Sequence, residues 1–126
     1  MRIHESAENY LETILVLSRR KQFVRSIDIV NELNFSKPSV SVAMKHLREN
    51  GYIVMDEDGY ITLTEAGNTI ANSIYERHQV ISALLIKLGV EDETAKEEAC
   101  RSEHDIRQDT LEKLKVWLLQ NKIVEL

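Results

Sequence analysis

Cys100, Glu103 and His104 are the residues whose types and spacing carry the most distinctive chemistry in this chain. On a helix with about 3.6 residues per turn, positions i, i+3 and i+4 share a face, so a thiol, a carboxylate and an imidazole converge. Soft, hard and borderline donors side by side suit a divalent transition metal such as Fe(II), Mn(II), Co(II), Ni(II) or Zn(II). Each residue also has a plainer reading. A lone cysteine commonly packs as a small hydrophobe, and a Glu-His pair near a helix end is commonly solvated. His78 falls on an apolar helical stripe with Ile70, Ile74, Ile81, Leu85 and Leu88, where an imidazole needs an internal hydrogen bond or a metal. Asn9 and Glu12, one turn apart near the start, are further oxygen donors that alone make an ordinary polar face.

The elements that must position these donors are legible from periodicity. Tyr10, Leu11, Ile14, Leu15 and Leu17 make a helical stripe over Glu5 to Leu17. Ser26 is expected to cap a short helix running to about Leu33, with Ile27, Ile29, Val30 and Leu33 inward. Asn34-Phe35-Ser36 reads as a tight turn, and Pro38 sits where the first turn of a third helix tolerates proline. Val40, Ala43, Met44 and Leu47 face inward from that helix, and Gly51 fits its C-terminal cap. Tyr52 to Met55 and Tyr60 to Leu63 are β-prone runs flanking Asp56-Glu57-Asp58-Gly59, a hairpin. Thr64 is expected to cap a helix from Glu65 to about Leu88, closed by Gly89. A helix from Glu91 to Glu103 follows, then another carrying Ile106, Leu111, Leu114, Val116, Trp117, Leu118 and Leu119. Helix, helix, turn, helix, hairpin, helix is the order of a winged helix-turn-helix, so the fold class is mainly α.

Composition narrows the partners. The chain has 126 residues, 43% of them hydrophobic, and a net charge of -5. That charge argues against indiscriminate nucleic-acid binding. Its distribution is uneven: residues 1–51 hold eight Lys and Arg against six Asp and Glu, and residues 52–126 hold eight against fifteen. A mildly basic reader joined to an acidic regulatory segment fits this pattern. No apolar run approaches a membrane span, and Met1 to Ser6 lacks the apolar core of a signal peptide. One cysteine builds no intramolecular disulfide framework, so a reducing cytoplasm is the expected setting.

A helix N-terminus entering the major groove would present Ser36, Lys37, Pro38, Ser39, Ser41 and Lys45 to DNA. Short hydroxyls suit base edges and phosphates, and the lysines add phosphate attraction. No Arg or Gln occupies the first two turns, so direct readout is modest and dimer spacing and DNA shape must contribute. Arg25, with Arg19, Arg20 and Lys21, is a candidate for backbone contact. The acidic Asp56-Glu57-Asp58 tip would be repelled by phosphate. The plainer reading of Ser36-Lys37-Pro38-Ser39 is a serine cap followed by a solvated lysine.

Taken together, Glu8-Asn9-Tyr10-Leu11-Glu12, Ser36-Lys37-Pro38-Ser39-Val40-Ser41, Leu63-Thr64-Glu65-Ala66-Gly67, Arg77-His78 and Glu98-Ala99-Cys100-Arg101-Ser102-Glu103-His104 resemble the metal-dependent repressors typified by the diphtheria toxin repressor and the manganese transport regulator. The resemblance implies a homodimer that binds Mn(II) or Fe(II), with Zn(II), Co(II) or Ni(II) accepted in vitro. It also implies binding to double-stranded operators of metal-uptake genes, with no membrane and no small-molecule substrate. It assigns residues 1–63 to a winged helix-turn-helix DNA-binding domain and 64–126 to an α-helical dimerisation and metal-binding domain. Cys100, Glu103 and His104 match family ligands, and His78 matches a histidine used at a second metal position. Glu12 matches a carboxylate of the manganese type, and Asn9 stands where the iron type has Met and the manganese type Asp. Lys96 and Ser82 stand where the iron type has a His and a Glu, a departure. The short form corresponds to members lacking a C-terminal SH3-like domain. The rival readings are a metal-independent winged-helix regulator of the multidrug-resistance-repressor kind, a metalloenzyme and a protein-interaction module.

Overall fold

The structure is a computed structural model that describes residues 5–121. Met1-Arg2-Ile3-His4 and residues 122–126, the outer ends of the two expected domains, lie outside the described residues. The chain divides into two compact units between Asn72 and Ser73.

In the first unit, α1 (Glu5–Arg20) carries Glu5 and Glu8 in its first turn and Arg19 and Arg20 in its last, the charge order that complements the helix dipole. It buries Tyr10, Leu11, Ile14, Leu15 and Leu17. Ile29 of α2 (Ser26–Leu33) and Val40, Met44 and Leu47 of α3 (Lys37–Glu49) complete the helical part of this core. Strands β1 (Ile53–Met55) and β2 (Ile61–Leu63) pair antiparallel with Ile53 opposite Leu63 and Met55 opposite Ile61. Period-2 alternation turns Ile53 and Ile61 inward and leaves Val54 outside. Ile61 N–H also donates to the Val24 carbonyl at 2.7 Å, tying the wing to the segment before α2.

Two local devices explain why this sequence turns where it does. At the wing tip, one Asp56 carboxylate oxygen accepts from the N–H groups of Asp58 and Tyr60, each at 2.9 Å. The acidic tip therefore has a structural task, because Asp is a turn-former through this Asx geometry. At the start of α4 (Glu65–Lys87), Thr64 Oγ1 accepts from Gly67 N–H at 3.2 Å and donates to the Gly51 carbonyl at 2.7 Å. Gly67 leaves no room for a side chain: a Cβ there would lie 2.0 Å from the Tyr52 carbonyl oxygen.

The cap of α2 differs from the sequence expectation. Arg25, not Ser26, occupies the N-cap, and the Asp28 carboxylate accepts from the Arg25 N–H at 2.8 Å while pairing with Lys21. Burial raises the Asp28 pKa, but the Lys21 and Arg25 hydrogen bonds and charges outweigh it and hold the carboxyl below its ordinary value of 3.8. A depressed folded pKa contributes stability above the unfolded value that is lost as pH falls through the folded one. Asp28→Asn is therefore expected to cost about 0.5–1 kcal/mol at neutral pH, discounted because Lys21 is half exposed. Urea unfolding at pH 7 and near pH 3 checks this, and the gap between the two proteins should close at the lower pH.

In the second unit, α4 continues and is followed by α5 (Asp92–Ser102) and α6 (Gln108–Gln120). Val80, Leu111 and Leu118 form a buried cluster with Ala83, Ile106 and Leu114 packed against it. Ala95 and Ala99, one turn apart on α5, are fully buried, so small side chains set the close approach of that helix. The α4 stripe ends sooner than expected: the helix stops at Lys87, and Leu88 is 71% exposed. Val116, Trp117 and Leu119 of α6 are also exposed. Among the described residues, no helix is long and apolar enough to cross a membrane.

Candidate metal centre and DNA-reading surface

The donors of the second unit do not sit on one helical face. α5 ends at Ser102, one residue before Glu103, and the chain turns there. Cys100 is left on the exposed side of α5, whereas Glu103 is 0% exposed and the His104 side chain 3%. The i, i+3, i+4 convergence expected for an uninterrupted helix thus gives way to a split set. The turn brings Glu103 against His78 of α4 instead, with His78 Nδ1 and Glu103 Oε2 3.1 Å apart.

Glu103 is unusual among buried groups. Its second oxygen, Oε1, is buried with no hydrogen-bond partner among the described residues. His104 Nε2 lies 3.6 Å from it, beyond hydrogen-bond reach. A buried carboxyl oxygen left without a hydrogen bond costs on the order of a few kcal/mol unless a countercharge joins it. Two imidazoles flanking a buried carboxyl group, one at each oxygen, form a borderline-to-hard donor set that fits a divalent transition cation.

The turn that carries Glu103 and His104 is fastened from α4. Arg77 Nη1 donates to the carbonyls of Glu103, at 3.2 Å, and Ile106, and its Nη2 donates to Gln108 Oε1 at 3.0 Å. The sequence placed Arg77 in a motif without giving it a task, because its partners lie 26 to 31 residues away. His78 also lines an open cleft with Ser82, Ala83, Ile86, Lys87 and Lys96, so the two departures noted at Ser82 and Lys96 sit together beside it.

In the first unit, Asn9 and Glu12 are half-buried on successive turns of α1, and the Asn9 carbonyl accepts from Thr13 Oγ1 at 2.8 Å. Ser36, Lys37, Pro38, Ser39, Ser41 and Lys45 are all exposed at and beyond the start of α3. Ser36 is the N-cap: its Oγ accepts from Ser39 N–H at 3.2 Å and donates to Ser39 Oγ at 2.8 Å. The serine-cap reading and an exposed, DNA-facing helix start are therefore compatible. Val42, which periodicity did not single out, is 55% exposed on the same helix between Ser39 and Lys45. Arg25 lies over the Tyr60 ring at 4.6 Å from its centroid, and Tyr60 in turn stacks on Phe23.

A winged helix-turn-helix followed by helices bearing a buried Glu-His cluster defines a DNA-binding regulator with a metal centre. The sequence comparisons agree. Residues 2–62 match the iron dependent repressor N-terminal DNA binding domain, and residues 64–122 match the iron dependent repressor metal binding and dimerisation domain. An HTH-type transcriptional regulator of Methanocaldococcus jannaschii is 34% identical over 116 residues, covering 90% of this chain and 93% of that one. The transcriptional regulator MntR of Escherichia coli is 32% identical over 113 residues, 90% of this chain and 73% of that protein. Among solved structures, the manganese regulator SloR superposes with a TM-score of 0.80 at 28% identity, over 94% of this chain and 55% of its own.

The chain belongs to the iron-dependent repressor family. It is a metal-responsive transcriptional regulator and not an enzyme, and the metal-independent alternative is set aside because its second half is the metal-binding and dimerisation domain.

Proposed function

We propose that this chain represses metal-uptake genes by binding operator DNA as a dimer whose geometry is set by Mn(II) or Fe(II). The observation that supports the metal half of this reading is the buried Glu103 carboxylate, with His78 against Oε2 and His104 3.6 Å from Oε1, which has no hydrogen-bond partner among the described residues. The relatives' names, MntR and manganese regulator, support manganese as one of the cations accepted. The proposed donors are His78, Glu103, His104 and Cys100 from the second unit, with Asn9 and Glu12 of α1 as those the family resemblance assigns to the first. Residues 1–63 are the proposed reader, and 64–126 the proposed dimerisation and metal-binding domain.

A bound divalent cation supplies a positive centre around which anionic and imidazole donors can gather. Without it, the buried Glu103 carboxylate lacks that positive centre. With the donors gathered, two recognition helices in a dimer are held about one DNA turn apart, ~34 Å. The exposed Val116, Trp117 and Leu119 on α6 offer the apolar surface that such a dimer needs. A ligand that favours one state ~100-fold moves the equilibrium by ~2.7 kcal/mol, which is enough for a switch.

On the DNA side, Lys37 and Lys45 are assigned to phosphates and the short serine side chains to base edges and sugar-phosphate. Lys37→Ala with Lys45→Ala is expected to weaken binding uniformly across sequences. The slope of log K against log salt should shrink by about one for each lysine removed. Fluorescence anisotropy on a duplex selected from a random pool in the presence of Mn(II), across a salt series, tests this. An unchanged slope would remove both lysines from the interface.

A further inference from the structure

The stretch from Glu103 to Arg107 links α5 to α6 and carries two of the proposed donors, yet it is not helical. Its backbone bonds run to the flanking helices: Glu103 N–H to the Ala99 carbonyl at 2.9 Å, Asp105 N–H to the Ser102 carbonyl at 3.1 Å and Leu111 N–H to the Arg107 carbonyl at 3.0 Å. Donors on a turn are held to a fixed spacing only when side-chain contacts support it. Here one guanidinium bonds both ends of the turn. Arg77 spans the turn, bonding the carbonyl at its start, Glu103, and the carbonyl near its end, Ile106. With its other nitrogen it holds Gln108, the first residue of α6, whose Nε2 donates to Glu112 Oε1 at 2.8 Å.

Arg77 also immediately precedes His78 on α4. One turn of one helix thus presents a donor directly, through His78, and fixes two more, Glu103 and His104, through its neighbour. A planar fork with five N–H donors can make this three-point clamp, and a lysine ammonium on a flexible stem cannot reproduce its geometry.

We propose that Arg77 is the positioning residue that sets cation preference, by holding the Glu103–His104 turn at the spacing His78 requires. The inference rests on the metal reading above and adds to it the means of selectivity. Donor identity alone favours cations in the Irving–Williams order, so preference for an earlier metal such as Mn(II) has to come from geometry. Mn(II) favours a six-coordinate, oxygen-rich arrangement, whereas Zn(II) accepts four ligands in a tetrahedron and tolerates a looser set. Loosening the turn therefore weakens Mn(II) more than Zn(II).

The test is anaerobic isothermal titration of the full chain with Mn(II) and with Zn(II), using wild type, Arg77→Lys and Gln108→Leu. Thermal unfolding of each metal-free protein serves as the folding control. Arg77→Lys is expected to lose about 10- to 100-fold in Mn(II) affinity, the range seen when residues supporting a ligand are altered. It should lose less for Zn(II), so that the ratio of the two constants moves toward zinc. Gln108→Leu removes one of the three contacts and should move the ratio the same way by less, which keeps the test alive if Arg77→Lys fails to fold. Equal losses for the two cations, or none, overturn Arg77 as a selectivity residue while leaving the metal reading intact. Failure of wild type to bind either cation overturns both.

Discussion

Glu103→Gln is expected to abolish the rise in thermal stability that Mn(II) confers, while leaving the metal-free protein at least as stable as wild type. The two halves of this outcome come from one feature, the carboxyl group buried at 0% exposure whose Oε1 has no hydrogen-bond partner among the described residues. Without a cation, the charge is a liability, and the isosteric amide removes it while keeping its volume. In the metal-bound protein the same charge is the strongest attraction on offer to the cation, and an amide is a poor replacement. At a cation concentration about 100-fold above the dissociation constant, binding stabilises by ~2.7 kcal/mol. A donor loss exceeding the ~100-fold upper range for supporting residues reduces that to ~0.4 kcal/mol or less. For a chain of this size the difference corresponds to on the order of 10 °C in Tm. Differential scanning fluorimetry with Mn(II) and with chelator measures both halves together. A variant that still gains the full Mn(II) shift would take Glu103 out of the donor set.

Gly67→Ala is expected to destabilise the first unit by about 3 kcal/mol or more, the upper end for overpacking. The sign is informative because intrinsic propensity points the other way: Gly to Ala within a helix normally gains up to about 1 kcal/mol. Here a Cβ would meet the Tyr52 carbonyl oxygen at 2.0 Å, and carbonyl and helix start are both anchored. Thr64 N–H donates to that same carbonyl at 3.0 Å, and Thr64 Oγ1 bonds Gly51 and Gly67. Relief would have to move the wing away from α4. Urea denaturation gives the number, and a stabilised variant would contradict the close approach.

The helix-turn-helix and wing were legible because each element has a local signature. Pro38 in the first turn of α3, Thr64 before α4 and the alternation of Ile53 and Ile61 need no tertiary knowledge to read. The α2 cap was missed by one residue because an Asp28 carboxylate reaching back to Arg25 N–H serves the same purpose as a serine at Ser26. The candidate metal centre was legible in its residue types but less so in its geometry. Periodicity places Cys100 with Glu103 and His104 only while the helix continues, and it stops at Ser102. The Arg77 clamp that spans the turn is made across 26 to 31 residues, and no local pattern reports such a contact. The pairing of His78 with Glu103 is likewise a tertiary event, although the polar ring on the apolar stripe of α4 signalled that some partner had to exist.

Control of DNA binding by a divalent cation is tested by anisotropy of a Mn(II)-selected duplex titrated anaerobically with the full chain. The titration is run with Mn(II), with chelator, and with Mn(II) restored after chelation. Binding is expected to be roughly 100-fold tighter with Mn(II), lost on chelation and recovered on re-addition. Equal affinity in all three conditions would contradict it.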